Sequence, residues 1–157
     1  MNEALELDVG QKVLEVGAGS GWHAATVAEI VAPSDRPEEE WGHVWTIEIV
    51  PELALMARRN IEEAGFSDRI TVLHGDGSLG YPPEAPYDRI LVTAAAPEVP
   101  RPLLEQLGED GILLIPVGGL HLFQRLVRIR KMGGRVHEED LGGVAFVPLT
   151  GKYGHRV

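Results

Sequence analysis

Short apolar runs alternate with helix-like patterns along residues 12–117 of this chain. Glycine, proline or charged residues bound the runs, as expected for buried strands separated by turns. We predict five strands in this part of the chain, at residues 12–16, 44–49, 70–73, 88–93 and 112–117. Helices are predicted between them at residues 21–32, 51–64 and 102–107. This alternation favours an α/β fold with a doubly wound, mostly parallel sheet.

The pattern changes after residue 117. Two longer strands are predicted at residues 122–131 and 135–149, on either side of Met132-Gly133-Gly134. Paired glycines between two strands are typical of a tight hairpin turn, so we expect the sheet to end in an antiparallel hairpin. Residues 1–7 resemble the last turns of a helix. We expect residues 1–157 to form one domain, long enough to bury a core.

The first strand leads directly into a turn that contains Gly17, Gly19 and Gly21. Glycine tolerates the positive φ angles and the close ligand approach that such a turn requires. The helix behind the turn begins with free amides, which accept polar or anionic ligand groups. In parallel sheets, ligands lie outside the carboxyl ends of the strands. The turn therefore predicts a nucleotide-type binding crevice.

The spacing of this turn excludes two common nucleotide motifs. A dinucleotide fingerprint needs a small residue where Trp22 stands, and a phosphate loop needs Gly-Lys-Ser/Thr, which the chain lacks. Instead, Glu15 precedes Gly17 and Gly19 in an acidic-x-Gly-x-Gly pattern. This pattern suits a cationic ligand. S-adenosylmethionine carries a sulfonium and an ammonium group and no phosphate.

Carboxylates also follow two further strands. Glu48 can accept hydrogen bonds from both ribose hydroxyls of an adenosine, although it lies further from Gly17 than the about 20 residues typical of such folds. A charged surface loop at residues 33–42 accounts for the excess. Asp76 can bind the exocyclic amine of adenine, and Ile49 can pack on its face. The predicted cofactor-binding residues are Glu15, Gly17, Gly19, Gly21, Glu48, Ile49, Asp76, Gly77 and Thr93.

Each of these residues alone has a structural explanation, as a turn residue or an exposed strand end. Their occurrence at successive strand ends is what predicts an adenosyl cofactor. Trp22 has two explanations of equal weight, covering the cofactor or packing the first helix. A cluster of basic residues at the hairpin is interpreted first as a solvated strand edge and second as a peptide or RNA contact. The cluster contains Arg125, Arg128, Arg130, Lys131 and Arg135, with Arg128 and Arg130 on one strand face.

The composition limits the classes of partner. Lys and Arg total 14 against 24 Asp and Glu, and the net charge of −10 repels phosphate backbones, so we expect no nucleic-acid partner. No cysteine is present, which excludes disulfides, thiol nucleophiles and thiolate metal sites. The six histidines show no ligand spacing, so no metal site is expected. No apolar run reaches the about 18 residues needed to span a membrane, and we expect a cytoplasmic protein.

Several segments resemble known protein families. Residues 13–21, Ile47-Glu48 and residues 51–60 are similar to class I S-adenosylmethionine-dependent methyltransferases. Within that class, the chain resembles protein-L-isoaspartate O-methyltransferases over nearly its whole length. The segments that carry this narrower resemblance are residues 75–77, 79–81, 85–90, 92–97, 102–107, 115–118 and 146–149.

The resemblance implies a Rossmann-like methyltransferase fold and a role in protein repair. The reaction would transfer methyl from S-adenosylmethionine to the α-carboxylate of L-isoaspartyl residues in damaged proteins, with S-adenosyl-L-homocysteine as product. A carboxylate is already ionised at pH 7, so positioning and exclusion of water can suffice without a general base. We therefore assign no catalytic residue. Thr93, Ala94 and Ala95 are expected to line the methyl-transfer side.

The family normally carries a segment before the first strand, with a Gly-Gln-Thr-Ile-Ser-like motif that grips the substrate, and the sequence lacks a match to it. We therefore expect an N-terminally short methyltransferase domain. Two alternatives stay open: a non-catalytic or partner-dependent S-adenosylmethionine-binding module, and a methyltransferase with a different substrate. A sheet face that lacks its first elements would expose apolar surface, so self-association into a homo-oligomer is a further hypothesis.

Overall fold

The structure is a computed structural model that describes residues 2–119 and 123–156. Its regular elements follow the predicted alternation closely. They are α1 (Asn2–Leu5), β1 (Lys12–Val16), α2 (Trp22–Val31), β2 (His43–Glu48), α3 (Pro51–Glu63), β3 (Ile70–His74), β4 (Tyr87–Val92), α4 (Arg101–Gln106), β5 (Leu107–Gly118), β6 (Gln124–Met132) and β7 (Arg135–Val144). Met1 and Leu122, which were assigned to a predicted helix and a predicted strand, lie outside the described residues.

The strands form one sheet in the order β3-β2-β1-β4-β5-β6-β7. β1 pairs in parallel with both β2 and β4, and the parallel part extends to β3 and β5. β5, β6 and β7 are joined by antiparallel pairing. The chain winds outward in opposite directions from β1 and β4, so a crevice opens between the carboxyl ends of these two strands. The doubly wound, mostly parallel sheet with a C-terminal antiparallel hairpin is confirmed.

Apolar side chains cover both faces of this sheet. Successive strand residues point to opposite faces, which is why neighbouring Val13 and Leu14 belong to different buried clusters. Val13 packs with α2 and α3, whereas Leu14 belongs to the cluster that includes Leu103 of α4. Leu5 of α1 is fully buried against residues of β4 and β5. Packing on both faces fixes the sheet, and with it the positions of the strand ends.

The charged loop at residues 33–42 leaves the register of β2 intact. Trp41 Nε1 donates a hydrogen bond to Pro33 O at 2.8 Å, which closes the loop on itself. Gly42 N donates to Val31 O at the end of α2, and β2 pairs with β1 from its first residue. A closed surface loop can lengthen in this way without moving the strands beside it.

Two predicted boundaries are wrong. β5 begins at Leu107, directly after α4, rather than at residue 112. β7 ends at Val144 rather than at residue 149, close to Gly142 with its φ of 110°. Such a backbone angle interrupts an extended strand, and Pro148 has no amide proton for a ladder. The chain instead returns to the residues after β4, where Ala95 N donates to Val147 O at 2.7 Å and Leu149 N donates to Ala95 O at 2.8 Å.

Candidate functional site

A cavity of about 350 Å³ opens at the carboxyl edge of the sheet, and we call it the cofactor cavity. Its volume falls within the range of small-molecule sites, about 300–1,000 Å³. Its walls come from the ends of β1, β2 and β4, the start of α3 and the segment after β7. The lining residues are Val16, Gly17, Gly19, Ile47, Glu48, Ile49, Val50, Leu53, Gly77, Thr93, Ala94, Val147, Pro148, Leu149 and Thr150.

The glycine turn forms one wall and has room for no side chain at its first position. Gly17 has a φ of 100°, and a Cβ atom there would collide with Oγ1 of Thr93. Gly17 N donates to Ile47 O at 2.8 Å, while Thr93 Oγ1 lies 3.0 Å from Gly17 O. Gly21 has a φ of 88° and packs against the backbone of α3 at Ala57. These contacts hold the turn against both neighbouring strands, so its shape is set before any ligand binds.

Glu48 presents a fixed carboxylate to the cofactor cavity. Only 8% of the residue is exposed. Its Oε1 accepts a hydrogen bond from Gly19 N at 3.1 Å, and its Oε2 accepts one from Val50 N at 3.2 Å. Each carboxylate oxygen has a second acceptor position. Glu48 can therefore accept two further hydrogen bonds, as a ribose diol requires.

Glu15 lies behind the glycine turn rather than in the cavity wall. It is 1% exposed. Thr46 Oγ1 donates to its Oε1 at 2.6 Å, and its Oε2 lies 2.7 Å from His23 Nδ1. The other ring nitrogen of His23 lies 2.9 Å from Asn2 Oδ1 in α1. The carboxylate thus links β1, β2, α2 and α1, and its predicted direct contact with the cofactor stays a prediction.

Asp76 has a similar supporting position at the end of β3. Its Oδ1 accepts hydrogen bonds from Ser78 N at 3.0 Å and from Ser78 Oγ at 2.6 Å. Its Oδ2 accepts one from Lys152 N at 2.9 Å. Asp76 therefore fastens the C-terminal segment beside the cavity, whereas its neighbour Gly77 lines it. The predicted contact between Asp76 and adenine stays a prediction.

The structure brings most of the predicted site residues together. Those that line the cofactor cavity are Gly17, Gly19, Glu48, Ile49, Gly77, Thr93 and Ala94. Those that lie outside its lining are Glu15, Gly21, Asp76 and Ala95. Sequence reasoning missed Val50, Leu53 and the run Val147–Thr150. The resemblance includes residues 146–149, but the sequence analysis assigned them to a regular strand. That assignment did not predict that they line the cavity.

Three arginines of the hairpin have acidic partners, whereas Lys131 and Arg135 form no ion pair with another described residue. Arg128 Nη2 lies 2.8 Å from Glu139 Oε2, and Arg125 Nη1 lies 3.1 Å from Asp140 Oδ2. Arg130 forms an ion pair with Glu6 and shares Glu139 with Arg128, on the same strand face. These pairs favour the interpretation as a solvated strand edge. Trp22 is 59% exposed, which argues against a packing role; a role in covering the cofactor stays a prediction.

No group of three or more potential metal ligands occurs among residues 2–119 and 123–156. No helix in this part of the chain has the length and apolarity needed to cross a membrane.

Solved structures share this fold. A protein-L-isoaspartate O-methyltransferase matches with a TM-score of 0.86 and 31% identity, over 97% of this chain and 46% of that one. A Plasmodium falciparum protein assigned to the same enzyme class, solved with S-adenosyl-L-homocysteine, matches with a TM-score of 0.79 and 27% identity, over 92% of this chain and 67% of that one. The fold is that of the class I S-adenosylmethionine-dependent methyltransferases.

Relatives in sequence narrow this class. The family model for protein-L-isoaspartate(D-aspartate) O-methyltransferase matches residues 1–154, and the chain belongs to this family. A Hyperthermus butylicus protein-L-isoaspartate O-methyltransferase is 56% identical over 99% of this chain and 65% of its own length. A Korarchaeum cryptofilum protein of the same name is 53% identical over 98% of this chain and 70% of its own length. The chain thus spans about two thirds of the length of these relatives.

Proposed function

We propose that this chain binds S-adenosylmethionine in the cofactor cavity and transfers its methyl group to the α-carboxylate of L-isoaspartyl residues in damaged proteins. The product would be S-adenosyl-L-homocysteine. The observation that carries the cofactor assignment is the Glu48 carboxylate, held by two backbone amides at the carboxyl edge of the sheet. Membership of the isoaspartyl methyltransferase family supports the choice of acceptor.

The residues of the cavity fit this cofactor. Glu48 has unused acceptor positions for the ribose hydroxyls, and Ile49, Val50 and Leu53 provide apolar surface for the adenine ring. The bare backbone of Gly17 and Gly19 permits close approach of the methionine portion. Glu15 would act through the turn that it supports.

Thr93 and Ala94 would lie on the methyl-transfer side, together with the segment that returns from β7. When bound, S-adenosylmethionine supplies an electrophilic methyl group. A substrate carboxylate oxygen would accept that carbon, the electron pair of the C–S bond would remain on sulfur, and no proton would need to move. A negative and a positive charge cancel in this step, so a site that excludes water favours it. Val147, Pro148 and Leu149 supply apolar surface on this side of the cavity.

Transfer of tritium from methyl-labelled S-adenosylmethionine to a synthetic isoaspartyl peptide tests this proposal. We expect a base-labile methyl ester on the isoaspartyl peptide and none on the same peptide with ordinary aspartate. Cofactor binding measured by calorimetry without transfer to any isoaspartyl peptide would contradict the activity and select the non-catalytic or partner-dependent module. Transfer to another acceptor alone would select a different substrate.

Two further expectations belong to this proposal. A cytoplasmic location stays a prediction. Self-association also stays a prediction. Light scattering on the purified protein distinguishes a monomer from an oligomer.

A further inference from the structure

A second cavity of about 630 Å³ lies beside the cofactor cavity, and we call it the side cleft. It is formed by residues 97–101 and Leu104 on one side and by residues 152–154 on the other. These residues play no part in the cofactor site described above. Most of them are exposed, so a ligand can enter from solvent.

The side cleft and the cofactor cavity are lined by different residues of the same two chain segments. Ala94 lines the cofactor cavity, and Pro97 lines the side cleft three residues later. In the other segment, Thr150 lines the cofactor cavity, and Lys152, two residues later, lines the side cleft. A chain advances at most about 3.3–3.6 Å per residue, so the two residues in each of these pairs lie no more than about 7–11 Å apart. Both connecting segments come from the predicted methyl-transfer side of the cofactor cavity.

The wall that carries Lys152 is anchored independently of any ligand. The backbone amide of Lys152 donates a hydrogen bond to Oδ2 of Asp76, and Tyr153 N donates one to Oγ of Ser78 at 3.1 Å. Ser78 is fully buried. At Gly151, whose φ is 126°, a Cβ atom would collide with the Asp76 carboxylate, so the turn packs tightly onto that side chain. A wall held in this way loses little conformational freedom when a ligand binds.

The side cleft carries a net positive charge on an acidic protein, because two cations and one carboxylate line it. Arg101 and Lys152 line it, and neither forms an ion pair with another described residue. Glu98 is its acidic lining residue. By contrast, the arginines on β6 are paired with carboxylates. Two unpaired cations at one concave site, on a chain with a net charge of −10, favour an anionic ligand group there.

We propose that the side cleft binds an acidic side chain of the substrate, two or three residues from the isoaspartyl residue, through Arg101 and Lys152. This inference rests on the proposed function, because it assigns a sequence preference to the same substrate. An extended peptide covers about 7–11 Å in two or three residues, which is enough to span the distance between these lining residues. The cleft would select among damaged sites by the residues that flank them.

Binding of labelled isoaspartyl peptides in the presence of saturating S-adenosyl-L-homocysteine tests this inference. The peptides carry a single Glu or Gln at each position from three residues before to three residues after the isoaspartyl residue. We expect the Glu peptide to bind about fivefold more tightly than its Gln counterpart when the substitution is two or three residues away on one side. Higher salt should reduce this ratio, because it screens exposed charges.

Variants assign the preference to the cleft. Arg101→Gln and Lys152→Gln should each reduce the Glu-to-Gln ratio, and the double variant should bring it to about one. Glu98→Gln should increase the ratio, since it removes a repelling charge. Arg135→Gln is the matched control, because it removes the same charge from an exposed position on β7 and should leave the ratio unchanged.

The outcomes separate this inference from the proposed function. Equal binding of Glu and Gln peptides at every position, or a preference that survives the double variant, overturns the assignment of the cleft. Methylation of the Gln peptides in that case still supports the proposed function. A Glu preference without any methyl transfer would support the cleft and overturn the activity. Failure of every isoaspartyl peptide to bind overturns both.

Discussion

Two close contacts made by single residues shape the cofactor cavity, one through the backbone of a glycine and one through a carboxylate. Gly17 brings the chain against Thr93, and Glu48 brings a charge against the amides of Gly19 and Val50. Glu15 and Asp76 lie outside the lining of the cavity, and protein groups already donate hydrogen bonds to their carboxylates. The positions of single residues therefore separate groups that line the cavity from groups behind its wall, whose contact with the cofactor stays a prediction.

Replacing Gly17 by alanine should lower both stability and cofactor affinity. The left-handed backbone alone costs about 1–2 kcal/mol for a residue with a side chain, and the collision with Thr93 adds to it. Gly65→Ala is the matched control, since Gly65 has a φ of 80° and nothing within 4 Å of an added Cβ. Urea unfolding should show the larger loss for Gly17→Ala, and calorimetry should show weaker S-adenosylhomocysteine binding for that variant alone. Equal losses in the two variants would contradict the steric argument.

Glu48→Gln should weaken binding of S-adenosylhomocysteine by about 10- to 100-fold, because hydrogen bonds to a charged group contribute about 1.5–3 kcal/mol. The amide also places a donor opposite a backbone N–H group, which disturbs the local geometry. Isothermal calorimetry measures the affinity, and thermal unfolding shows that the variant is folded. Glu52→Gln, on the exposed start of α3, is the control and should bind normally. An affinity within twofold of the parent would remove Glu48 from the site.

The elements of the C-terminal half have separate tasks. β5 extends the parallel core, and β6 and β7 add an antiparallel edge whose residues in β7 are almost all exposed. Ion pairs on this edge connect β6 with β7 and with Glu6, next to α1. The segment after β7 contributes to the cofactor cavity instead of the sheet. The hairpin thus determines where residues 145–155 enter the site.

The charges on the hairpin should make stability depend on pH. The Arg128 guanidinium, by hydrogen bonding, holds the pKa of Glu139 below its usual value of 4.5. A group whose pKa is lowered by folding stabilises the folded state above its unfolded pKa and loses that contribution as pH falls through the folded pKa. Glu139→Gln should therefore be less stable than the parent at pH 7, and the difference should vanish as pH falls well below 4.5.

Urea unfolding at a series of pH values measures this difference. Glu138→Gln is the control, since Glu138 forms no ion pair with the described residues and should show no such dependence. The difference should also shrink at high salt, because the ion pairs are exposed. A difference between Glu139→Gln and parent that is the same at pH 7 and at pH 3 would contradict the assignment.

At the scale of the whole molecule, the position of the site follows from the order of the strands. β1 and β4 are neighbours in the sheet although their first residues, Lys12 and Tyr87, are 75 positions apart along the chain. The crevice opens where the winding direction changes. This crevice brings together the glycine turn, Glu48, Thr93 and the segment that returns after β7. A ligand in the cavity would therefore connect both halves of the fold.

Cofactor binding should consequently stabilise the whole molecule. A ligand at 100 times its dissociation constant adds about 2.7 kcal/mol to the free energy of unfolding, or roughly 5–10 °C in Tm for a domain of this size. We expect this shift with S-adenosylhomocysteine in differential scanning calorimetry and none with NAD or ATP at the same concentration. Glu48→Gln should lose most of the shift. A comparable shift with NAD would contradict the assignment of the cavity to an adenosyl cofactor without phosphate.

The sequence indicated much of the site because its signals are local. A glycine turn directly after a strand specifies its own backbone, and a carboxylate at a strand end lies at the edge where parallel strands meet. Gly17, Gly19 and Glu48 were found in this way, and all three line the cavity. The segment Val147–Thr150 was not recognised as part of the site, because alternating apolar residues fit a returning segment and a regular strand equally well.

The sequence by itself determined the fold class, the glycine turn and the candidate carboxylates, because these depend on periodicity and on residues within one strand-turn-helix unit. Only the tertiary structure decided what each carboxylate touches. It directs Glu15 toward Thr46 and His23, joins Asp76 to Lys152, and sets Arg101 opposite Lys152 across the side cleft. Local periodicity assigns a residue to a face or an edge. The partner that meets it there comes from a distant part of the chain, and only packing of the whole sheet brings the two together.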